Sequence, residues 1–384
     1  MKILLCNHSL GHGGAERVIT NLSSEWAELG WDVTVLTLSS CTNDFYRLHE
    51  DVRRIALDLT SDSTSIVEAV AANLRRITAL RRVFRQVKPD IVLGIQTSAS
   101  VLSILAALGL PCKVIATEHN HPPMLPLGRF WETLRRWTYP KAAVVVALTN
   151  DTRKWLETTC RCTAVEVVPN PVSLPIPLAG RALSPAALVD PGRRVLLAAG
   201  RLTEQKGFDF LIDAFARIAA RQPRWDLVIL GEGEGRDMLE RRRTQAGLDG
   251  RIILPGVAGN VGDWYARADL FVLSSRFEGF PMTLIEAMAS GCAAVSFDCD
   301  AGPRDIVTHG YNGLLVSPVG DVAKLADALT ELMTDDAGRE LMAARAPNVM
   351  HTFSSTRVIA MWQDLFERIG MDRSRLVDTI RMPN

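Results

Sequence analysis

No apolar run in this sequence is long enough to cross a bilayer. The longest, about Ala99 to Leu110, falls well short of the ~20 residues a spanning helix needs. The first residues, Met1-Lys2-Ile3-Leu4-Leu5-Cys6-Asn7-His8, carry too short an apolar run for a signal-peptide core and lack a small-residue cleavage site. The seven cysteines, at 6, 41, 112, 160, 162, 292 and 299, include no C-x-x-C pair. Odd in number and dispersed, they read as reduced thiols of a cytoplasmic protein. Cys160-x-Cys162 has no second ligand pair nearby and makes a poor metal site. Net charge is missing as well: 43 basic side chains balance 43 acidic ones over 384 residues, which argues against a general nucleic-acid binder. With 47% apolar and 22% charged residues, composition excludes global disorder, collagen-like repeats and a coiled-coil rod.

What is present is an alternation. Short β-branched runs at Lys2–Asn7, Asp32–Leu38, Ile91–Gln96, Lys113–Glu118, Ala143–Leu148 and Val165–Val168 are separated by helical patterns such as Ala15–Leu29, Ser65–Val87 and Thr149–Thr159. Near-continuous hydrophobic strands between amphipathic helices predict a parallel sheet covered on both faces. Between Pro169 and Gly192 six prolines fall in 24 residues, where no regular element is expected to continue. The alternation then restarts at Arg194–Ala199, Asp226–Leu230, Arg251–Leu254, Leu270–Ser274, Ala293–Phe297 and Gly313–Val316. The organisation expected is two doubly wound α/β lobes: 1–170, a Pro-rich hinge at 171–192, and 193–352. A helix at 353–370 packs back on the first lobe, and 371–384 forms a tail. Ligands belong outside the carboxyl ends of the strands, so a cleft between the two lobes is where chemistry is expected.

Three motifs sit at such ends. Gly11-His12-Gly13-Gly14-Ala15-Glu16-Arg17 leads from the first strand into a helix, and its glycines let backbone amides approach an anion. A plain tight turn is the simpler account. Gly200-Arg201-Leu202-Thr203-Glu204-Gln205-Lys206-Gly207 puts two cations beside the first strand of the second lobe, where they could clamp a diphosphate or merely be solvated. In Glu278-Gly279-Phe280-Pro281-Met282-Thr283-Leu284-Ile285-Glu286, a loop acid, a helix start and a helix acid could hold sugar, diphosphate and ribose together. The plainer reading is an N-cap acid and an exposed glutamate. Asp298-Cys299-Asp300 matches the metal-binding Asp-x-Asp formally but reads better as a loop cap, and Glu118-His119-Asn120-His121 lacks metal-ligand spacing. Gly231-Glu232-Gly233-Glu234-Gly235 reads as a strand–helix turn whose acids would repel phosphate.

In order and in spacing, these elements resemble the group 1 family of retaining glycosyltransferases. So do Thr117-Glu118-His119-Asn120, Gly302-Pro303 and Asn312-Gly313-Leu314-Leu315-Val316. The resemblance spans about residues 11 to 316 and implies the GT-B fold, two Rossmann-like lobes around a nucleotide-sugar cleft. It implies that Arg201 and Lys206 bind the donor diphosphate and stabilise the departing nucleotide. Glu286 would hold the ribose, Glu278 the hydroxyls of the transferred sugar, and Gly279, Phe280, Pro281, Met282 and Thr283 the phosphates. Backbone at Pro255-Gly256-Val257 would line the base pocket. His119 would approach the sugar from the first lobe, with Gly13 and Gly14 admitting acceptor and phosphates. The activity implied is metal-independent, cofactor-free transfer of a hexose or N-acetylhexosamine, with retention, from a UDP-type sugar. A GT-B-fold nucleotide-sugar epimerase and a non-catalytic nucleotide-sugar-binding scaffold are the alternatives.

Charge by segment points to the acceptor. Residues 73–161 carry a net +9, against −5 for 1–72 and −3 for 181–384. Arg75, Arg76, Arg81, Arg82, Arg85 and Lys88 lie on one predicted helix. Leu127, Phe130, Trp131, Leu134 and Trp137 form an apolar stripe flanked by Arg129, Arg135, Arg136 and Lys141. A basic helix with an aromatic face suits an anionic membrane surface, although the stripe could equally pack on its own lobe. Together with the resemblance, this gives the expectation of a polyprenyl-diphosphate-linked glycan acceptor and a peripheral position on the inner face of the cell membrane.

Overall fold

The computed structural model describes residues 1–11, 13–42, 44–60 and 65–371. His12 of the glycine-rich turn and residues 372–384 of the expected tail lie outside the described residues. The chain divides into two compact units, residues 1–171 with the stretch from Ser355 onward, and Val172–Ser354.

Among the described residues, the first unit holds a seven-stranded parallel sheet. Its strands are β1 (Lys2–Asn7), β2 (Asp32–Thr37), β3 (Arg53–Ala56), β4 (Ile91–Ile95), β5 (Lys113–Glu118), β6 (Val144–Ala147) and β7 (Val165–Val167), in spatial order β3-β2-β1-β4-β5-β6-β7. β1 and β4 are almost wholly buried, as strands covered on both faces must be. The helices Gly14–Glu28, Ile66–Val87 and Asn150–Thr159 stand where the periodicity predicts them. Ser65 and Thr149 cap two of them by accepting from Glu68 N (3.2 Å) and Thr152 N (3.2 Å). β3 is the strand the sequence pattern does not announce. Four residues long, half-buried and at the sheet edge, its Arg-Arg-Ile-Ala has no hydrophobic run to betray it. The helix Ser355–Arg368 belongs to this unit, burying Val358, Ile359, Trp362, Leu365 and Phe366 at helical spacing. Trp362 meets Trp26 edge-on at 5.9 Å, and Phe366 lies 5.8 Å from the same ring.

The second unit repeats the plan. Its strands β8 (Arg194–Ala199), β9 (Trp225–Leu230), β10 (Ile252–Gly256), β11 (Leu270–Leu273), β12 (Ala294–Phe297) and β13 (Gly313–Val316) run parallel in the order β10-β9-β8-β11-β12-β13. The proline-rich stretch corrects one expectation, because residues Pro185–Leu188 form a single helical turn. A proline at the first helical position lacks only an N–H that would be unpaired anyway. Much of that stretch is fastened to the second unit. Ala179 N bonds Gly259 O (2.9 Å), Leu183 N bonds Asn260 Oδ1 (2.7 Å), and Trp264 Nε1 bonds Leu183 O (2.9 Å).

Candidate active site

β8 and β11 are neighbours at the centre of the second sheet, where the winding reverses direction. Loops leaving such a switch point diverge and open a crevice for a ligand. The loop after β8 carries Arg201 and Lys206, and the loop after β11 carries Glu278. Lys206 Nζ lies 2.6 Å from Glu278 Oε1, with both side chains largely buried. It lies across Gly200, where a Cβ would crowd its stem at 3.2 Å. Ser275 Oγ donates to the same Glu278 oxygen at 2.6 Å, so Oε2 keeps no partner among the described residues. Arg201 is exposed and has no side-chain partner among the described residues.

The two loops are stitched together. Arg276 grips both carboxylate oxygens of Asp209 (2.8 and 2.7 Å), donates to Glu204 O (2.7 Å), and lies 4.0 Å from the centroid of Phe210. Burial pushes the Asp209 carboxyl up, but the Arg276 contacts outweigh it and hold the group below its ordinary value. Gln205 Nε2 donates to Phe277 O (3.1 Å), and Ser274 Oγ to Lys206 O (2.9 Å). Gly207 has φ 59°, and a Cβ there would run into the Ser274 carbonyl, so only glycine permits this approach.

Past Glu278, the segment Gly279, Phe280, Pro281 enters the helix Met282–Ala289, whose start no side chain caps among the described residues. Its first-turn amides, including Met282 and Thr283, therefore point a partial positive charge outward. Glu286 is one turn further, buried, and accepts from Tyr265 Oη at 3.0 Å. Gly256 ends β10 with φ 98° and accepts from Gly231 N (2.9 Å), with half-buried Val257 beside it. In the turn after β9, Glu232 is not the bare acid that the sequence suggests. Arg236 pairs with it at 2.6 and 2.7 Å and neutralises it. Asp298 accepts from Arg304 Nε (3.0 Å) and Ser317 Oγ (3.3 Å), while burial pushes the Cys299 thiol up to about 12. Among the described residues no group of three His, Cys, Asp or Glu could hold a metal ion.

In the first unit, Gly13 precedes the helix that Gly14 begins, and a Cβ on Gly13 would strike the Glu16 carboxylate. His119 follows β5. Its Nε2 lies 3.0 Å from Thr117 Oγ1, its Nδ1 is buried without a partner, and burial draws its pKa down to about 4. The adjacent Glu118 is buried and accepts from Thr97 Oγ1 (2.8 Å), Tyr139 Oη (2.9 Å) and Arg135 (3.4 Å).

That last contact corrects the expected membrane set. Arg135 is 1% exposed, pairs with Glu118 and Glu132, and lies 4.6 Å from the Trp155 ring centroid. Its position is interior because Trp131, Leu134, Arg135 and Thr138 form the inward face of the helix Arg129–Thr138, with Trp131 and Leu134 packed on the core. Arg81 also serves the fold, donating to Ala106 O (2.8 Å) and Leu108 O (2.7 Å). Arg85, Arg129 and Arg136 are exposed, as are Phe130 (52%) and Trp137 (54%), whose ring is 3.1 Å from Lys141 Nζ. The predicted stripe is thus two half-stripes, one packed and one facing water.

Ser275, Arg276, Asp209, Tyr265 and Thr117 support these side chains; sequence reasoning assigned none of them a role, although Thr117 stands in the Thr117–Asn120 motif and Ser275 and Arg276 directly precede the Glu278 segment. Ser275 is three residues from Glu278 and could have been suspected, whereas Asp209 meets Arg276 across 67 residues and leaves no local signal.

Residues 182–349 match the family model described as glycosyl transferases group 1, and residues 12–174 match glycosyltransferase family 4. The chain is 31% identical over 322 residues to an exopolysaccharide phosphotransferase of Streptomyces coelicolor, spanning 83% of this chain but only 33% of that protein. It is 24% identical to the GalNAc-alpha-(1->4)-GalNAc-alpha-(1->3)-diNAcBac-PP-undecaprenol alpha-1,4-N-acetyl-D-galactosaminyltransferase of Campylobacter jejuni, covering 96% of this chain and 99% of that one. The solved structure of Anabaena HepE with UDP and glucose shares the fold with a TM-score of 0.74 at 18% identity, covering 97% and 100%. Both sheets wind in the nucleotide-binding order, and each half of the chain matches a glycosyltransferase model. On these grounds the chain belongs to the group 1 glycosyltransferases and has the GT-B fold.

Proposed function

We propose that the protein transfers a hexose or N-acetylhexosamine, with retention and without a metal, from a UDP-sugar to a polyprenyl-diphosphate-linked glycan. The observation that carries the donor half is the Lys206–Glu278 pair at the switch point of the second sheet, with Arg201 uncommitted beside it. A nucleoside diphosphate leaves with added negative charge. Cations already held in place lower that barrier more than cations that must reorganise. Glu278 keeps Lys206 fixed through Oε1 and offers Oε2 to a sugar hydroxyl, while Glu286 serves the ribose and the Met282 amide end the phosphates. With no other base assigned, the leaving phosphate takes the proton of the incoming hydroxyl on the same face of the sugar.

The acceptor half rests on different support. The Campylobacter relative's name specifies an undecaprenyl-diphosphate glycan, and HepE is solved with UDP and glucose. In this chain, exposed Phe130 and Trp137 stand with Arg129 and Arg136 on one helix face, a combination that suits an anionic membrane. The reading places the protein in bacterial glycan biosynthesis, at the inner face of the cell membrane. The test is incubation with a panel of nucleotide-sugars and a polyprenyl-diphosphate glycan, followed by NMR of the new anomeric proton. The expected product keeps the donor's anomeric configuration; inversion would overturn the mechanism. Epimerised donor without acceptor would overturn transfer itself.

A further inference from the structure

We propose that Thr117 holds His119 as a neutral ring protonated on Nε2, leaving Nδ1 as a bare acceptor. Thr117 has one hydroxyl proton and two neighbours that could receive it, Gly94 O at 3.0 Å and His119 Nε2 at 3.0 Å. Gly94 O also takes Ser100 Oγ at 2.8 Å, and Thr117 N donates to Ser100 Oγ at 3.3 Å. The end of β4 and the helix Gln96–Ala107 therefore hold this β5 threonine in place. If Thr117 donates to Gly94, its lone pairs accept an N–H from Nε2 and every proton is used. If instead Nδ1 carried the proton, Thr117 would have to turn from Gly94 to Nε2. One hydrogen bond would be lost, and a buried Nδ1–H would have no acceptor. Nδ1 is unpaired in either tautomer, so the Thr117–Gly94 hydrogen bond, kept in one and lost in the other, decides between them. The imidazolium has the same orphan and adds a buried charge. Glu118, next in sequence, offers no relief, because it is engaged by Thr97, Tyr139 and Arg135.

The consequence is a rule for what His119 can pair with. A ring with Nδ1 bare can only receive a hydrogen bond there, from a hydroxyl or an N–H. It gives nothing to a phosphate oxygen, which only accepts. Thr117 is thus a positioning residue that fixes which nitrogen of His119 donates and which accepts.

The test uses the full-length protein labelled with 15N-histidine and long-range 1H–15N correlation, with His119→Asn identifying the ring's signals. The expected wild-type pattern at pH 7 is a protonated Nε2 and an unprotonated Nδ1. Thr117→Val should move the ring toward a mixture of tautomers, and Thr117→Ser should restore the wild-type pattern. A wild-type ring protonated on Nδ1, or on both nitrogens, overturns the proposal, as does a Thr117→Val ring unchanged from wild type. The wild-type spectrum decides the tautomer even if Thr117→Val fails to fold. Transfer assays separate the two layers. Thr117→Val should lower kcat about tenfold, the worth of one net hydrogen bond, with little change in KM for the donor. A shifted tautomer with an unchanged kcat would leave the tautomer standing and separate it from sugar transfer.

Discussion

Replacing Arg135 by methionine tests whether the helix Arg129–Thr138 has the two faces described. Methionine retains most of the stem and deletes the guanidinium. The carboxylate of Glu118, 1% exposed like Arg135 itself, would keep its hydroxyl donors Thr97 and Tyr139 but lose its only cation among the described residues. Removing one partner of a buried ion pair costs about 3–5 kcal/mol. The two remaining donors favour the lower end, and loss of the contact with the Trp155 ring, 4.6 Å away, adds to it. At roughly 3 kcal/mol, the unfolded population of the first unit rises about a hundredfold. With a urea slope of about 2 kcal/mol per molar, its midpoint falls by about 1.5 M. The buried cluster of Trp26, Trp31 and Trp362 contributes to the fluorescence change as the unit unfolds, alongside Trp225 and Trp264 of the second unit. Arg136→Glu, one residue on and exposed, should stay within about 0.5 kcal/mol of wild type. Glu118→Leu combined with Arg135→Met should recover much of the loss, because an apolar pair carries no unmet charge. An Arg135→Met protein as stable as wild type would refute this placement of the side chain.

The opposite pattern is expected on membranes. Arg129→Glu with Arg136→Glu should weaken cosedimentation with anionic vesicles at least about thirtyfold, at ~1 kcal/mol per basic residue lost near the surface. Undiminished binding would remove this face from the acceptor reading. Arg201→Ala or Glu278→Gln should abolish sugar transfer while leaving circular dichroism unaltered, and wild-type turnover in either would sink the donor-site assignment. Arg276→Lys cannot reproduce the two-pronged grip on Asp209. It should cut kcat/KM some ten- to a hundredfold by loosening the loops that align Lys206 and Glu278; an unchanged value would make the stitching irrelevant to catalysis. Finally, the His119 pKa is about 4 when folded against 6.5 for the free ring. Between these values the unfolded chain binds more protons, so stability is lost as pH falls from 6.5 toward 4. Wild type should lose about 2 kcal/mol more than His119→Asn between pH 7 and pH 5, read as urea midpoints, and parallel profiles would contradict the buried neutral ring.

How much of this was legible in the sequence depends on how far apart the partners lie. Strands buried on both faces announce themselves as apolar runs, so all but one were found, and Arg53–Ala56 escaped as a short polar edge. Glu278 and Glu286 share nine residues, and Arg201 and Lys206 share six, so their placement at strand ends could be read from spacing alone. Their supports could not. Asp209 reaches Arg276 across 67 residues, Tyr265 reaches Glu286 across 21, and Thr117 reaches Gly94 across 23. Strand order, which periodicity does not encode, sets each of these contacts.

The basic segment shows the same limit in its charges. Phe130 is exposed while Trp131, about 100° round the helix, packs on the core, so a stripe drawn through both straddles the boundary between core and water. Composition counts Arg76, Arg81, Arg129, Arg135 and Arg136 as equals within a net +9. The structure divides them. Arg76 donates to Leu59 O, Arg81 to two carbonyls, and Arg135 to a buried carboxylate, each holding the first unit together. Arg129 and Arg136 are exposed and able to meet an anionic partner. The field that could draw a diphosphate or a membrane to this unit is therefore carried by fewer cations than the sequence contains. Two of those cations, Arg129 and Arg136, share a helix with the exposed rings of Phe130 and Trp137, where charge and apolar area can act on the same surface.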